Sequence, residues 1–338
     1  MIRVLIADDS PTVRHYLRAI LSRDPEIEIV GEAKDGAEEV EYCRALNPDI
    51  VITDIGMPRM DGYQAIKKIM SEMPRPILVL TSTASDIELG ISYKALQLGA
   101  LMVTGKPHGL PEENPQADEL VSMVKTLAGV KVIRRRFRGE KPPKPRSLPK
   151  AEVIAIGAST GGPQALYQIL KCLPEGFPLP ILVIQHMSSG FTEGFVRWLN
   201  ESSQLRIKVA EEGEEPKAGF VYLALEDHHM VIGGDGLIHI LKSPKVDGHR
   251  PSATLLFDSV ARHYGKGAVG VLLTGMGSDG ARGLKTIRDA GGYTIAQDEK
   301  TSVVFGMPRE AVKIGAAREV LPLSWIPQRL LELANSSR

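Results

Sequence analysis

The chain has 338 residues, a formal net charge of zero at pH 7 and 43% apolar residues. This length suits two domains with full hydrophobic cores better than one. Zero net charge weakens any function that depends on bulk attraction to nucleic acid or to an anionic membrane, and no stretch approaches the roughly 20 apolar residues of a membrane span.

Two features of the sequence favour a cytoplasmic location. The first residues, MIRVLIADDS, form a strand pattern without the cationic flank or the small-residue cleavage site of a signal peptide. The two cysteines, Cys43 and Cys172, lie far apart in helical patterns without redox or metal-binding spacing. We therefore expect both to be buried, reduced thiols.

In the first half of the chain, short β-rich runs alternate with helical patterns. Near-continuous apolar strands separated by helices predict a doubly wound α/β domain, with a parallel sheet covered on both faces. The five strand-like runs are IRVLIADD, IEIVGEA, DIVITDI, PILVLTST and ALMVTGKP.

Chemically active side chains follow four of these five strands. Asp8 and Asp9 end the first strand, Asp54 ends the third, Thr81 ends the fourth, and Lys106 follows the fifth. Ligands of open parallel sheets bind outside the carboxyl ends of the strands. Clustered carboxylates favour a hard divalent cation, and a lysine with a hydroxyl beside them suits a phosphoryl group.

The motifs DDS, TDIGMPRMDG, LTS and KP resemble the receiver domain of two-component response regulators, a flavodoxin-like fold, over residues 1–125. The resemblance implies that Asp54 is the phosphoacceptor and that a histidine kinase of the chemotaxis type is the phosphodonor. It also implies a Mg2+ site formed by Asp9, Asp54 and the carbonyl of Gly56, with Asp8 assisting through water.

By the same resemblance, Thr81 and Lys106 hold the phosphoryl oxygens and couple phosphorylation to a shift of the last strands and helices. One position departs from the family pattern. Receivers often carry an aromatic residue three positions before the lysine, and this chain has Val103 there.

Residues 126–149 are predicted to link two domains, because they contain four prolines and a basic run with little apolar content. The segment RRRFR within them suits either a nucleic-acid patch or a solvated linker, and the zero net charge favours the linker. The second domain is then expected at residues 150–338.

The second half of the chain repeats the strand-then-helix pattern in EVIAIGAS, PILVIQHM and AVGVLLTGMG. A strand-rich, glycine-punctuated stretch spans about residues 205–242. We expect a Rossmann-like, three-layer α/β domain with an antiparallel insert at this stretch.

Ser159 in the segment GASTGG has three physically reasonable uses. A phosphate-binding loop is disfavoured because both the G-x-G-x-x-G spacing and a G-K-[ST] tail are absent. A helix cap is favoured by Pro163 near the first turn of the following helical pattern. A nucleophile is favoured by the G-x-S-x-G pattern, which exposes a serine hydroxyl at a strand-to-helix turn.

Partners for a nucleophile follow two other strands. His186 ends PILVIQHM, and Asp279 lies in the glycine-rich turn after AVGVLLTGMG. One cleft at the strand ends would then hold Ser159 as nucleophile, His186 as base and Asp279 as the group that orients the histidine. His249 is a weaker cleft candidate, and the pair at 228 and 229 is expected to serve the surface or packing.

The motifs IGASTGGP, IQHM, HRPSATLLF and TGMGSDGARGL resemble the catalytic domain of chemotaxis-type protein-glutamate methylesterases. The resemblance implies hydrolysis of glutamyl methyl esters on the cytoplasmic helices of chemoreceptors, deamidation of receptor glutamines, and no cofactor for the esterase reaction. Backbone amides near Thr160 and Met276 would stabilise the oxyanion.

The receiver, linker and esterase order is also that family's architecture, and the resemblance implies an enzyme that phosphorylation activates, working at receptor arrays without inserting into the membrane. Binding to nucleic acid is not expected. Two alternatives stay open at this point. One is a phosphorylation-switched esterase that acts on a signalling protein outside chemotaxis. The other is a phosphorylation-controlled binding or regulatory protein with an inert second domain.

Overall fold

The structure is a computed structural model that describes residues 1–81, 93–109, 114–130, 148–188 and 190–336. The chain divides into two compact units, Met1–Arg136 and Phe137–Arg338. Most of the predicted linker, including RRRFR, lies outside the described residues. No helix in the described ranges is both long enough and apolar enough to cross a membrane.

The first unit contains a five-stranded sheet in the order β2-β1-β3-β4-β5, and every strand pair in it is parallel. This is the flavodoxin-like order, with its topological switch point between β1 and β3. The prediction of a doubly wound receiver-like domain is therefore confirmed. The strands are β1 (Ile2–Ala7), β2 (Ile27–Ala33), β3 (Ile50–Thr53), β4 (Ile77–Thr81) and β5 (Met102–Gly105).

The helices of this unit start where side-chain oxygens accept bonds from exposed backbone N–H groups. Ser10, Asp35 and Asp61 cap the first three in this way. The described helices are α1 (Pro11–Leu21), α2 (Gly36–Leu46), α3 (Gly62–Glu72), α4 (Lys94–Leu98) and α5 (Pro115–Ala128).

The second unit contains a seven-stranded sheet in the order β14-β13-β12-β6-β7-β9-β8, and all its strand pairs are parallel. The four central strands are buried along their whole length and are mostly apolar, as burial on both faces requires. The strands are β6 (Val153–Ala158), β7 (Ile181–Gln185), β8 (Arg206–Val209), β9 (Phe220–Leu223), β12 (Ala268–Leu272), β13 (Tyr293–Gln297) and β14 (Glu319–Leu321).

The antiparallel insert is shorter than the sequence suggested. Only β10 (His229–Ile232) and β11 (Ile238–Leu241) form an antiparallel hairpin. The strands β8 and β9, which fall inside the predicted insert, instead extend the main parallel sheet beside β7. The predicted α/β class with an antiparallel element is confirmed, and only the extent of that element was wrong.

Six α-helices are described in the second unit. The chain enters the sheet at β6, passes to β7 on one side, and later adds β12 on the other side of β6. The carboxyl ends of β6, β7 and β12 thus border a topological switch point, where ligands of such sheets bind. The helices are α6 (Gly162–Leu170), α7 (Thr192–Asn200), α8 (Ala253–Tyr264), α9 (Ala281–Asp289), α10 (Met307–Lys313) and α11 (Ile326–Asn335).

The expectation of two buried thiols is half right. Both cysteines are free, and Cys43 on α2 is buried, but Cys172 is exposed. Cys172 lies in the turn just after α6 ends, where the chain has left the face that packs on the sheet.

Candidate active site

Ser159 directly follows β6 and is partly exposed at the sheet edge. The N-cap of α6 is Gly161, with φ of 79° and no side-chain cap, so neither Ser159 nor Thr160 caps the helix. The backbone of Ser159 is fixed, since its N–H donates to Thr274 O at 3.0 Å and its carbonyl accepts from Gly162 N at 2.7 Å. Its Oγ forms no hydrogen bond with any described residue.

His186 stands beside Ser159 because of the strand register. Ala158 of β6 pairs with Gln185 of β7, so the next residue on each strand is a serine and a histidine. The backbone continues this pairing, because His186 N donates to Ala158 O at 3.0 Å. Neighbouring positions of paired strands place their side chains on the same face of a sheet.

The imidazole of His186 uses one nitrogen and leaves the other free. Its Nε2 lies 2.9 Å from Asp279 Oδ2. Its Nδ1 is buried and has no hydrogen-bond partner in the described parts of the chain. Because a carboxylate only accepts, Nε2 carries the hydrogen, and Nδ1 therefore keeps a lone pair that no described residue uses.

Asp279 is completely buried at the N-terminus of α8. Burial alone would raise the pKa of this carboxyl, but the bond and charge of His186 and the backbone N–H groups of α8 hold the pKa well below its usual range. The carboxylate thus stays ionised and fixes the ring of His186. Besides His186, it accepts from Ser252 Oγ (2.8 Å) and from the N–H groups of Ala253 (2.7 Å), Thr254 (3.0 Å) and Gly280 (2.9 Å).

The two predicted oxyanion donors lie in two turns, one after β6 and the other after β12. Within the described residues, the N–H groups of Thr160 and Met276 donate no hydrogen bond. Gly275, which precedes Met276, is required by close packing, because a Cβ there would lie 2.7 Å from Ser159 Cβ. Thr274 Oγ1 ties the turns together by donating to Thr160 O at 2.8 Å.

Gln185, the last residue of β7, is a positioning group that sequence reasoning missed. It is 3% exposed. Its Nε2 donates to Ser159 O at 3.0 Å and to His186 O at 2.7 Å, bridging the two strand ends. The available signal was a polar residue at the buried end of an apolar strand, ILVIQ.

His229 also supports the site from within the core. It is fully buried, its Nδ1 accepts from Ser252 N at 3.2 Å, and its Nε2 donates to Pro244 O at 3.1 Å. This packing histidine thereby holds Ser252, which in turn holds Asp279. Sequence pattern alone gave no sign of that connection, since it depends on where the β10–β11 hairpin packs.

A separate cluster lies at the strand ends of the first unit. Oxygen atoms of Asp8, Asp9 and Asp54 all lie within 4.8 Å of one another. Lys106 Nζ lies 2.7 Å from Asp8 Oδ2 and 3.0 Å from Asp54 Oδ2. Burial raises the pKa of Asp8, although the hydrogen bond from Lys106 opposes this shift.

The other predicted receiver residues surround this cluster. Thr81 ends β4, pairs with Gly105 and accepts the N–H of Lys106 at 3.0 Å. Gly56 lies close to the phosphoacceptor candidate, because a Cβ at Gly56 would be 4.0 Å from Asp54 Oδ2. Anionic oxygen ligands of this kind suit Mg2+.

Comparisons with known proteins agree with both halves of the chain. Residues 154–330 match the CheB methylesterase family, and residues 4–112 match the response regulator receiver domain. The chain is 46% identical over 334 residues to protein-glutamate methylesterase/protein-glutamine glutaminase 2 of Anaeromyxobacter dehalogenans, covering 98% of this chain and 97% of that protein.

Two further relatives extend the comparison. Protein-glutamate methylesterase/protein-glutamine glutaminase 4 of Geobacter metallireducens is 45% identical over 344 residues, covering 99% of each chain. The crystal structure of the Thermotoga maritima CheB methylesterase catalytic domain aligns with a TM-score of 0.53 at 42% identity, covering 54% of this chain and 98% of that one.

Proposed function

Because this chain belongs to the CheB methylesterase family and carries a receiver domain, we propose that it hydrolyses glutamyl methyl esters on the cytoplasmic helices of chemoreceptors, under control of phosphorylation. One observation carries the proposal for the site. His186 is held at Nε2 by a buried carboxylate, and it offers its free Nδ1 beside Ser159 at the switch point of the sheet.

In the first half of the reaction, Ser159 Oγ attacks the ester carbonyl carbon while His186 Nδ1 takes the hydroxyl proton. The resulting imidazolium is stabilised by the buried charge of Asp279. His186 then returns the proton to the methoxy oxygen, the carbon–oxygen bond breaks, and methanol leaves an acyl-serine.

In the second half, His186 Nδ1 takes a proton from water, and the hydroxide attacks the acyl-serine. The proton returns to Ser159 Oγ, and the glutamate side chain is released. A receptor glutamine reacts by the same steps with ammonia as the leaving group. The free N–H groups of Thr160 and Met276 donate to the oxyanion in both halves.

In the receiver, a histidine kinase transfers a phosphoryl group to Asp54. Mg2+ would be held by Asp8, Asp9, Asp54 and the carbonyl of Gly56, and when bound it neutralises phosphoryl charge. Lys106 is ready to bind the phosphoryl oxygens, because its ammonium already lies 3.0 Å from Asp54 Oδ2. Thr81 supplies a hydroxyl from the neighbouring strand end.

The test is methanol release from methylated receptor membranes, with and without acetyl phosphate. We expect Ser159→Ala to abolish release, and Asp54→Asn to keep the basal rate while losing the increase with acetyl phosphate. Undiminished release by Ser159→Ala would refute the nucleophile.

A serine-directed organophosphate separates the alternative functions. Labelling that depends on Ser159 without methanol release from receptors would indicate an esterase for another signalling protein. Absence of Ser159-dependent labelling would indicate a phosphorylation-controlled binding protein with an inert second domain.

A further inference from the structure

The ring of His186 must satisfy two partners at once, and the contacts described so far fix it only in part. The bond from Nε2 to Asp279 at 2.9 Å holds one corner of the ring. A ring held at one corner can still tilt, and tilting swings Nδ1 away from Ser159. A second contact, on the face of the ring, would restrict this tilt and keep the base in its reactive geometry.

That contact is the imidazole of His249. The rings of His186 and His249 stack with their centroids 4.2 Å apart and their planes 3° from parallel. This separation is slightly shorter than the roughly 4.5–7 Å typical of aromatic pairs, so the two rings are in close contact. His249 is half-buried, and the stacking places its ring over one face of the His186 ring.

The segment that carries His249 is firmly held. His249 and Val246 exchange two backbone hydrogen bonds, of 2.9 and 3.0 Å. The next residue, Arg250, donates from Nε to Asp227 Oδ1 at 2.9 Å and from Nη1 to Ser243 O at 2.8 Å. His249 is thus anchored on both sides, independently of its contact with His186.

The same segment leads directly into the Asp279 site. Three residues after His249, Ser252 Oγ donates to Asp279 Oδ1 at 2.8 Å. One short stretch of chain therefore supplies the contact on the ring face and also orients the carboxylate that binds the ring edge.

We propose that His249 is a positioning residue that holds the His186 ring at the angle required for proton transfer with Ser159. This inference rests on the proposed hydrolase function. His249 contacts neither the ester nor the nucleophile in this role, and acts through His186.

The charge state of His249 suits the role. Burial, and after it the charge of His186, lowers the pKa of His249, while Asp279 and Asp247 oppose this shift and Lys245 adds to it. At neutral pH a neutral ring therefore covers His186, and it does not oppose the positive charge that His186 acquires during catalysis.

The test compares His249→Ala and His249→Phe in the full chain, with His263→Ala as the control. His263 is an exposed histidine near the end of α8, and it has no assigned role in the site. The measurements are the labelling rate of Ser159 by a serine-directed organophosphate, kcat and KM for methanol release, and the pH dependence of kcat/KM.

We expect His249→Ala to lower kcat and the labelling rate roughly tenfold, the size expected for a stacked aromatic pair, with KM changed less than twofold. His249→Phe keeps a flat ring and should recover most of the rate. Its acid limb should be less steep, because the imidazole of His249 is no longer there to take up a proton as the pH falls. His263→Ala should match the wild type.

The inference would be overturned if His249→Ala had the same kcat, labelling rate and pH profile as the wild type. It would also be overturned if His249→Phe were as slow as His249→Ala. Both results leave the proposed function intact provided that labelling depends on Ser159. If wild-type labelling does not depend on Ser159, the proposed function itself fails, so the two failures are distinguishable.

Discussion

Replacing Asp279 with asparagine tests most directly whether the Asp279 carboxylate orients His186 and stabilises its positive charge. The carboxylate accepts five hydrogen bonds, two at Oδ2 from His186 and Ala253, and three at Oδ1. An asparagine side chain has the same shape but only one acceptor oxygen. Whichever way it is turned, its NH2 group must face groups that also donate.

The two orientations have different consequences for His186. If the NH2 replaces Oδ2, it faces Nε2 and the N–H of Ala253, so the imidazole must shift its hydrogen to Nδ1 and can no longer accept from Ser159. If the NH2 replaces Oδ1, it faces the N–H groups of Thr254 and Gly280. His186 then keeps its bond but loses the negative charge that stabilises the imidazolium.

Each orientation leaves at least one buried backbone donor unsatisfied, which costs about 1–3 kcal/mol of folding free energy. For a domain of this size the melting temperature should fall by about 2–12 °C. The loss in kcat should be on the order of 10³–10⁴, the size seen when a triad histidine is held in the wrong tautomer.

The pH dependence of the free energy of unfolding provides a second test of the role of Asp279. The pKa of Asp279 is lower in the folded protein than in the unfolded chain, so its stabilising contribution is present above about pH 4 and is lost as pH falls further. The asparagine variant should lose this part of the acid sensitivity.

The assay is methanol release, combined with thermal unfolding at several pH values. Asp289→Asn is the control, because Asp289 forms an exposed ion pair with Lys285 and its loss should change stability by about 0.5 kcal/mol or less. An Asp279→Asn variant with kcat within tenfold of wild type would refute the assigned role of the carboxylate.

Three further predictions address other contacts. Gln185→Met keeps the volume of the side chain but removes both bridging bonds, so we expect a slower labelling rate of Ser159; an unchanged rate would contradict the bridging role. Gly275→Ala should lower the free energy of unfolding by about 1–3 kcal/mol through overpacking against Ser159, and it should also lower kcat. The control Gly176→Ala, where a Cβ would have nothing within 4 Å, should change neither thermal unfolding nor methanol release. Equal effects of the two substitutions would refute the packing argument. Burial raises the pKa of Glu39 to about 8, so the free energy of unfolding of the receiver should fall as pH rises from about 5 to 8. In urea unfolding, Glu39→Gln should make this pH dependence weaker. The same pH dependence of unfolding in the wild type and in Glu39→Gln would contradict the prediction.

Much of the receiver cluster could be predicted, because it follows from strand order alone. Four of the five apolar runs end in a residue with distinctive chemistry, and parallel strands bring such ends to one edge. Asp8, Asp54 and Lys106 therefore meet as the pattern indicated. Their assigned roles in phosphorylation stay predictions.

The site around Ser159 could be predicted only in part, because packing and not strand ends positions several of its residues. His186 directly follows β7 and Asp279 lies in the glycine-rich turn after β12, and these two strands flank β6. Gln185, His229 and Ser252 contribute through packing that no local pattern encodes. The strands β8 and β9 were misassigned as antiparallel because their short runs look alike in either orientation. The direction of a strand depends on how the chain connects it to its neighbours, which a short strand pattern does not show.

The place of Asp279 in the chain bears on how the protein is made. The carboxylate lies 93 residues after His186, and it is held by backbone N–H groups at the N-terminus of α8. A chain leaving the ribosome therefore exposes Ser159 and His186 well before it has a carboxylate to orient the base. If Asp279 orients the base as proposed, we expect a chain that ends before the turn after β12 to be inactive as an esterase, although it carries Ser159 and His186.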